Sequence, residues 1–208
     1  ISIGLEGTIR VALAAHGALH AKGFHSTAIA APFGACLAAS VLLGLDETRT
    51  VHAFGIAGSM ASGLFEFLAE GATVKTMHPG WGAQGGITAA HLARAGMTGP
   101  KSILEGRFGL YRTHIDSDFD PEAIDRKLGL EWHQLETSFK PYPCCHFLHT
   151  TLDALLGLRQ EHVFEIDDID RLTCLIPRGA VQVVAEPWAD KLKPSTSYAA
   201  KFSLPYTI

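Results

Sequence analysis

The sequence holds only four cysteines in 208 residues, and no two of them form a C-x-x-C pair. A zinc ribbon or an iron–sulfur cluster is therefore not indicated. Adjacent Cys144 and Cys145 read as small buried apolar residues of a reducing, cytoplasmic compartment. Charge is also scarce: 18% of residues are Asp, Glu, Lys or Arg, with a formal net charge of -4. No basic stripe exists to displace phosphate counterions, which argues against nucleic acid as a partner. No stretch reaches the ~18 uninterrupted apolar residues of a membrane-spanning helix. Ala28 to Leu45 comes nearest, but Pro32, Gly34 and Ser40 mark it as a buried helix, so no membrane partner is expected. Missing as well are a G-x-S-x-G elbow, a P-loop and a G-x-G-x-x-G turn after a strand. The opening ISIGLEGTIRVALAAHGALH has no basic region before its apolar residues, as a secretory leader would. It reads as the middle of a helix, and the terminal KFSLPYTI likewise stops inside an apolar segment, so both ends look cut.

What is present is apolar and helical in pattern. Hydrophobic residues make up 47% of the chain, enough to fill a sizeable core. Ser26 or Thr27 is placed to cap a helix through AIAAPFGACLAASVLL, which Gly44 ends. Asp46 should cap ETRTVHAFGIAGSMASG, whose small residues permit close helix approach. A further helix is expected from Gly82 to Ala95, another in EAIDRKLG after Asp120-Pro121, and another after Pro143. Near Glu165 the pattern changes. IDDIDRLTCLIP alternates as a half-buried strand does, and AVQVV reads as a second β-rich run. The fold class is thus mainly α: a large helical domain over residues 1–160, then the start of a smaller α+β domain over 161–208.

Three segments gather titratable residues between glycine or proline markers. In GFHSTA, His25 stands directly before a helix N-terminus, where it is either a simple cap or a proton carrier beside an anion-favouring helix end. In EGATVKTMHPGWGAQGG, Lys75 and His78 share a loop with Trp81, either solvated or paired with a ligand. In ETSFKPYPCCHFLHTTLDA, Lys140 lies in an extended, proline-flanked stretch, and His146 and His149 are spaced to share a helix face. No carboxylate or third histidine completes a zinc spacing, so core or supporting histidines are expected and no metal site. His25, Lys75, His78 and Lys140 together make a cationic, protonatable set suited to polycarboxylates.

Taken in order, GFHSTAIAAPFGACLAASVLLGLD, the segment AFGIAGSMASGLFEFLAEGATVKTMHPGWGAQGG, ETSFKPYPCCHFLHTTLDA and the closing KFSLPYTI closely resemble the MmgE/PrpD family over nearly the whole chain. Members of that family include 2-methylcitrate dehydratase, cis-aconitate decarboxylase and an iminodisuccinate epimerase. The resemblance implies a large all-helical domain, a smaller α+β domain, a homodimer, and chemistry on small di- or tricarboxylates without metal or organic cofactor. It places the active-site histidine on His25, the two lysines on Lys75 and Lys140, and the tyrosine on Tyr206, with His78 acting directly or by positioning Lys75. The expected reaction is dehydration of 2-methylcitrate or a related hydroxy acid, with decarboxylation, epimerisation or a non-catalytic helical scaffold as alternatives. The family also uses an acidic residue and a histidine from a preceding segment, and nothing in this sequence matches them.

Overall fold

A computed structural model describes residues 1–208. The backbone forms two compact units, one of Ile1–Glu66 with Val74–Thr137, the other of Phe67–Thr73 with Ser138–Ile208. The sequence changes character nearer residue 160.

The first unit is built on α1 (Ser2–Leu13), α2 (Ser26–Leu42), α3 (Glu47–Gly58), α4 (His78–Arg94) and the short α5 (Leu110–His114). Helix α2 is its centre, packed on α1, α3 and α4. It is apolar nearly all round, as a helix with neighbours on every side must be. Its buried Ile29, Phe33 and Cys36 join Val11, Leu19, Ile56, Ala89 and Tyr111 in one core. The Tyr111 hydroxyl satisfies itself inside that core by donating to the Val11 carbonyl at 2.9 Å.

Close approach of the helices depends on glycine. At Gly86 of α4, a Cβ would lie 2.3 Å from the Pro32 carbonyl oxygen and 2.5 Å from the Cys36 nitrogen. Both are backbone atoms of α2 and cannot turn aside. Pro32 also denies α2 the amide that would bond the Ala28 carbonyl. Gly86→Ala is expected to lower stability by ~1–3 kcal/mol despite the better helix propensity of alanine. A urea midpoint equal to that of the parent would show that α4 can move away from α2 freely.

Asp46 caps α3 as expected, its side chain accepting from the Arg49 amide at 2.8 Å. Gly44 sits just beyond α2 with φ +63°, the left-handed stop that glycine supplies most cheaply. Other expectations need correction. Helix α4 begins at His78, four residues earlier than Gly82, because Pro79 fits the first turn of a helix instead of breaking it. EAIDRKLG forms only a single 3-10 turn, Pro121–Ala123, followed by irregular turns. Asp120 does cap that turn, accepting from the Glu122 amide at 3.1 Å.

The second unit holds α6 (His149–Glu161), α7 (Arg178–Val184), α8 (Trp188–Leu192) and α9 (Leu204–Thr207) around a smaller core of Cys145, Leu148, Ala180, Val184, Phe202 and Leu204. The two expected strands are not formed. Residues 171–176 form no regular element; Leu172 to Leu175 line a shallow cavity with α6, and a strand would need a neighbour to take its amides and carbonyls. The alternation holds only at its end: Cys174 and Ile176 turn toward the core, while Ile169 and Leu172 are exposed. AVQVV is helical: fully buried Ala180 and Val184 are four apart, and that period outweighs the β-propensity of valine. No helix is long and apolar enough to cross a membrane.

Candidate functional site

His25 is positioned by a small antiparallel contact. Gly23, at φ +93°, turns the chain so that Phe24 bridges Leu64. The Phe65 amide then donates to the Gly23 carbonyl at 2.8 Å, and the His25 amide to the Gly63 carbonyl at 3.0 Å. Immediately afterwards α2 begins, with His25 at its N-cap position but making no side-chain capping bond. Ser26 does not cap it either; its hydroxyl pairs with His20 Nδ1 at 2.7 Å. The side-chain cap expected of Ser26 or Thr27 is not made; the chain entering the helix is held instead by the bond from the His25 amide to the Gly63 carbonyl.

His78 enters from α4 as its first residue. Its ring meets that of His25 with centroids 5.0 Å apart and planes tilted by 41°, and the two Nδ1 atoms are 2.8 Å apart. Both residues are buried, at 7% and 5% exposure. Gly63 makes room: a Cβ there would sit 2.3 Å from Ala28 Cβ and 3.4 Å from the His78 ring, at a φ of +150°. Phe65 covers the other side, touching the His25 ring at 5.5 Å and that of His20 at 4.8 Å.

Lys75 stands in the 3-10 turn Thr73–Thr76, half-buried and three residues before His78. Its charge acts on both imidazoles. Burial, then the charges of Lys75, His78 and His20, push His25 down to about 4 from 6.5. Burial and Lys75 push His78 down as well. Both rings are therefore neutral at neutral pH, able to give or take a proton without a standing charge.

The same shift makes a stability prediction. A histidine with a depressed folded pKa binds fewer protons folded than unfolded, so stability is full above the unfolded value and lost as pH falls. The loss should run between pH 6.5 and about 4 and reach at most about 3 kcal/mol. Thermal unfolding followed across that window should show it, and a His25→Gln variant should have a flatter profile. Parallel profiles for parent and variant would remove His25 as the source.

The structure thus brings His25, His78 and Lys75 together in the first unit. Lys140 and Tyr206 belong to the second. Lys140 is exposed in a stretch without regular structure and donates to the Cys144 carbonyl at 3.3 Å. Tyr206 is 62% exposed on α9, its amide bonded to Ser203 Oγ at 3.1 Å. His146 lies in a 3-10 turn and His149 opens α6, where its Nε2 is buried without a hydrogen-bond partner. No three His, Cys, Asp or Glu side chains converge as metal ligands would. Two contributors escaped the sequence reading. His20 is separated from His25 by a turn, and Phe65 looked like one apolar residue among several in GLFEFL. Only the five-residue spacing of His20 and His25 hinted at the first.

Comparison with known proteins gives the family of the chain. Residues 1–122 match the MmgE/PrpD N-terminal domain and residues 142–208 the MmgE/PrpD C-terminal domain. The chain is 28% identical to the cis-aconitate decarboxylase-like protein oryM of Aspergillus oryzae, over 98% of its own length and 44% of that protein's. It is 31% identical to cis-aconitate decarboxylase of Homo sapiens, over 89% of the chain and 38% of the human protein. For the Aspergillus terreus cis-aconitate decarboxylase the identity is 31%, over 76% of the chain and 33% of that enzyme. The chain thus spans less than half the length of these relatives. With both domain models matched in order along 208 residues, the chain belongs to the MmgE/PrpD family.

Proposed function

We propose that this chain carries part of the catalytic surface of a lyase acting on a small polycarboxylate, and that the reaction is decarboxylation of an unsaturated tricarboxylate of the cis-aconitate type. The observation that carries this reading is the buried His25–His78 pair with Lys75 beside it. The names of the relatives favour loss of carbon dioxide over the loss of water expected from the family resemblance.

In such a decarboxylation the electron pair of the breaking C–CO2 bond moves into the carbon skeleton and shifts the double bond. A proton must then reach carbon. The imidazole pair supplies that proton, and Lys75 balances the negative charge that builds up as the bond breaks. Lys140 and Tyr206 carry over from the family resemblance as a further cation and a further O–H donor, both exposed and open to an anion.

Dehydration of a hydroxy tricarboxylate is the second reading. It needs a base for the proton α to a carboxylate and an acid for the departing hydroxyl, and two neutral imidazoles in contact offer both.

The deciding experiment incubates the protein, in chelator, with cis-aconitate, citrate and 2-methylcitrate, following carbon dioxide release and product structure by NMR. Carbon dioxide and an unsaturated dicarboxylate from cis-aconitate support the first reading. An unsaturated tricarboxylate from either hydroxy acid supports the second and overturns the first. No turnover of any of the three by the folded protein overturns both.

A further inference from the structure

The nitrogens that meet in the His25–His78 contact are both Nδ1, 2.8 Å apart. At that distance one must carry a proton and the other a lone pair, because two lone pairs repel and two protons collide. A neutral imidazole has a single ring proton, so the role of each Nδ1 fixes the state of its Nε2. The ring that donates through Nδ1 has its lone pair on Nε2. The ring that accepts through Nδ1 has its proton on Nε2. One hydrogen bond therefore presets one proton acceptor and one proton donor.

We propose that His78 sets the tautomer of His25, and that the two imidazoles work as one acid–base unit able to hold a single extra proton. This rests on the proton-transfer role given to His25 above. The extra proton has one place to go, the Nε2 of the donating ring, where it leaves the N–H···N bond intact and makes it charge-assisted. A second would have to enter the other Nδ1, directly against the first. The geometry forbids it while the rings remain in place.

The surroundings keep the unit neutral until it is used. Burial comes first for both rings, and the charges of Lys75, His78 and His20 add to it at His25 as that of Lys75 does at His78. The ring positions are fixed by backbone: His78 is the first residue of α4, and His25 is tied through its amide to Gly63. His78 is thus a positioning residue for His25; decarboxylation consumes one proton, which the pair regains from solvent, whereas in dehydration the proton taken from carbon offsets the one given to the departing hydroxyl. For decarboxylation the donor Nε2 suffices. For dehydration the two Nε2 atoms supply base and acid, which is how one site can serve either reaction of the family.

The test reads the tautomers directly. Nitrogen-resolved NMR of the imidazoles is recorded on the whole protein without substrate, with His25→Gln and His78→Asn used for assignment. One ring of the pair is expected to carry its proton on Nδ1 and the other on Nε2. On acidification from about pH 8 through about pH 4, where His25 titrates, the pair should take up one proton and not two. His78→Leu should release the tautomer of His25, move the acid limb of the pH–rate profile and lower kcat/KM about 10²-fold. His78→Asn puts an amide group where Nδ1 stood, and should keep kcat/KM within about tenfold of the parent. The proposal is overturned if both rings share one tautomer, if two protons bind independently, or if His78→Leu leaves the His25 tautomer and the acid limb unchanged. Should the leucine variant not fold, the parent spectra and the asparagine variant still decide. A complementary pair in a protein that turns over no polycarboxylate would sink the functional reading and leave the pairing standing.

Discussion

Arg10→Leu should cost roughly 3–5 kcal/mol of folding stability, enough to unfold much of the population of a marginally stable domain. Arg10 is 2% exposed, and its Nε lies 2.7 Å from Glu6 Oε1, itself buried, one turn earlier in α1. The guanidinium does more than balance that charge. Its terminal nitrogens donate to the carbonyls of Ile124 at 3.2 Å, Arg126 at 2.9 Å and Glu131 at 2.8 Å. Glu6 in turn accepts from the amides of His133 at 3.2 Å and Gln134 at 3.0 Å. Burial pushes the Glu6 carboxyl up, but the Gln134 amide, Arg10 and the His133 amide outweigh it, and the group sits below its ordinary range.

Residues 123–134 contain little regular structure, so this pair stands in for the ladder bonds a helix or strand would have made. Leucine would fill part of the space yet leave a buried carboxylate and several carbonyls without a cation. Guanidinium unfolding should therefore show a lower midpoint for Arg10→Leu than for the double variant Glu6→Leu/Arg10→Leu, in which no charge is stranded. Equal midpoints for the two, or a midpoint matching the parent, would mean that the pair does not hold the segment.

That pair also shows what a sequence conceals. Glu6 and Arg10 at a spacing of four look like an exposed helix ion pair. Nothing local reports that both are buried, because their partners lie more than a hundred residues away. Features with a local cause were legible. Asp46 needed only the next turn of its own helix to act as a cap, and Gly44 only its own backbone. The site divides the same way. GFH and KTMHPG are recognisable as segments, so His25, Lys75 and His78 could be named. That two Nδ1 atoms face each other depends on Gly63, on the bridge between Phe24 and Leu64, and on α4 starting at His78. Each of these is a long-range or backbone fact. The strand expected over residues 165–176 failed for a related reason: alternation reports which side chains are buried, but not whether a neighbouring strand is there to complete the ladder.

Lys75→Ala is expected to lower kcat/KM by ~10²–10³ while leaving the fold unchanged, the cost of removing one cation from a site where negative charge develops. The side chain is half-buried in a single 3-10 turn and lies outside both apolar cores, so truncating it opens no cavity. The free energy of unfolding should stay within about 0.5 kcal/mol of the parent. A second consequence separates an electrostatic role from a merely structural one. The Lys75 charge depresses both His25 and His78, so its removal should let both rise toward 6.5 and carry the acid limb of the pH–rate profile upward with them. Lys75→Arg keeps the charge and should leave that limb in place, even if the wider guanidinium fits the substrate carboxylate less well. A variant that loses activity with an unmoved acid limb would assign Lys75 to substrate binding alone. One that keeps at least half of the parent activity would remove Lys75 from the catalytic set, leaving burial, the larger cause, to hold the imidazole pair neutral.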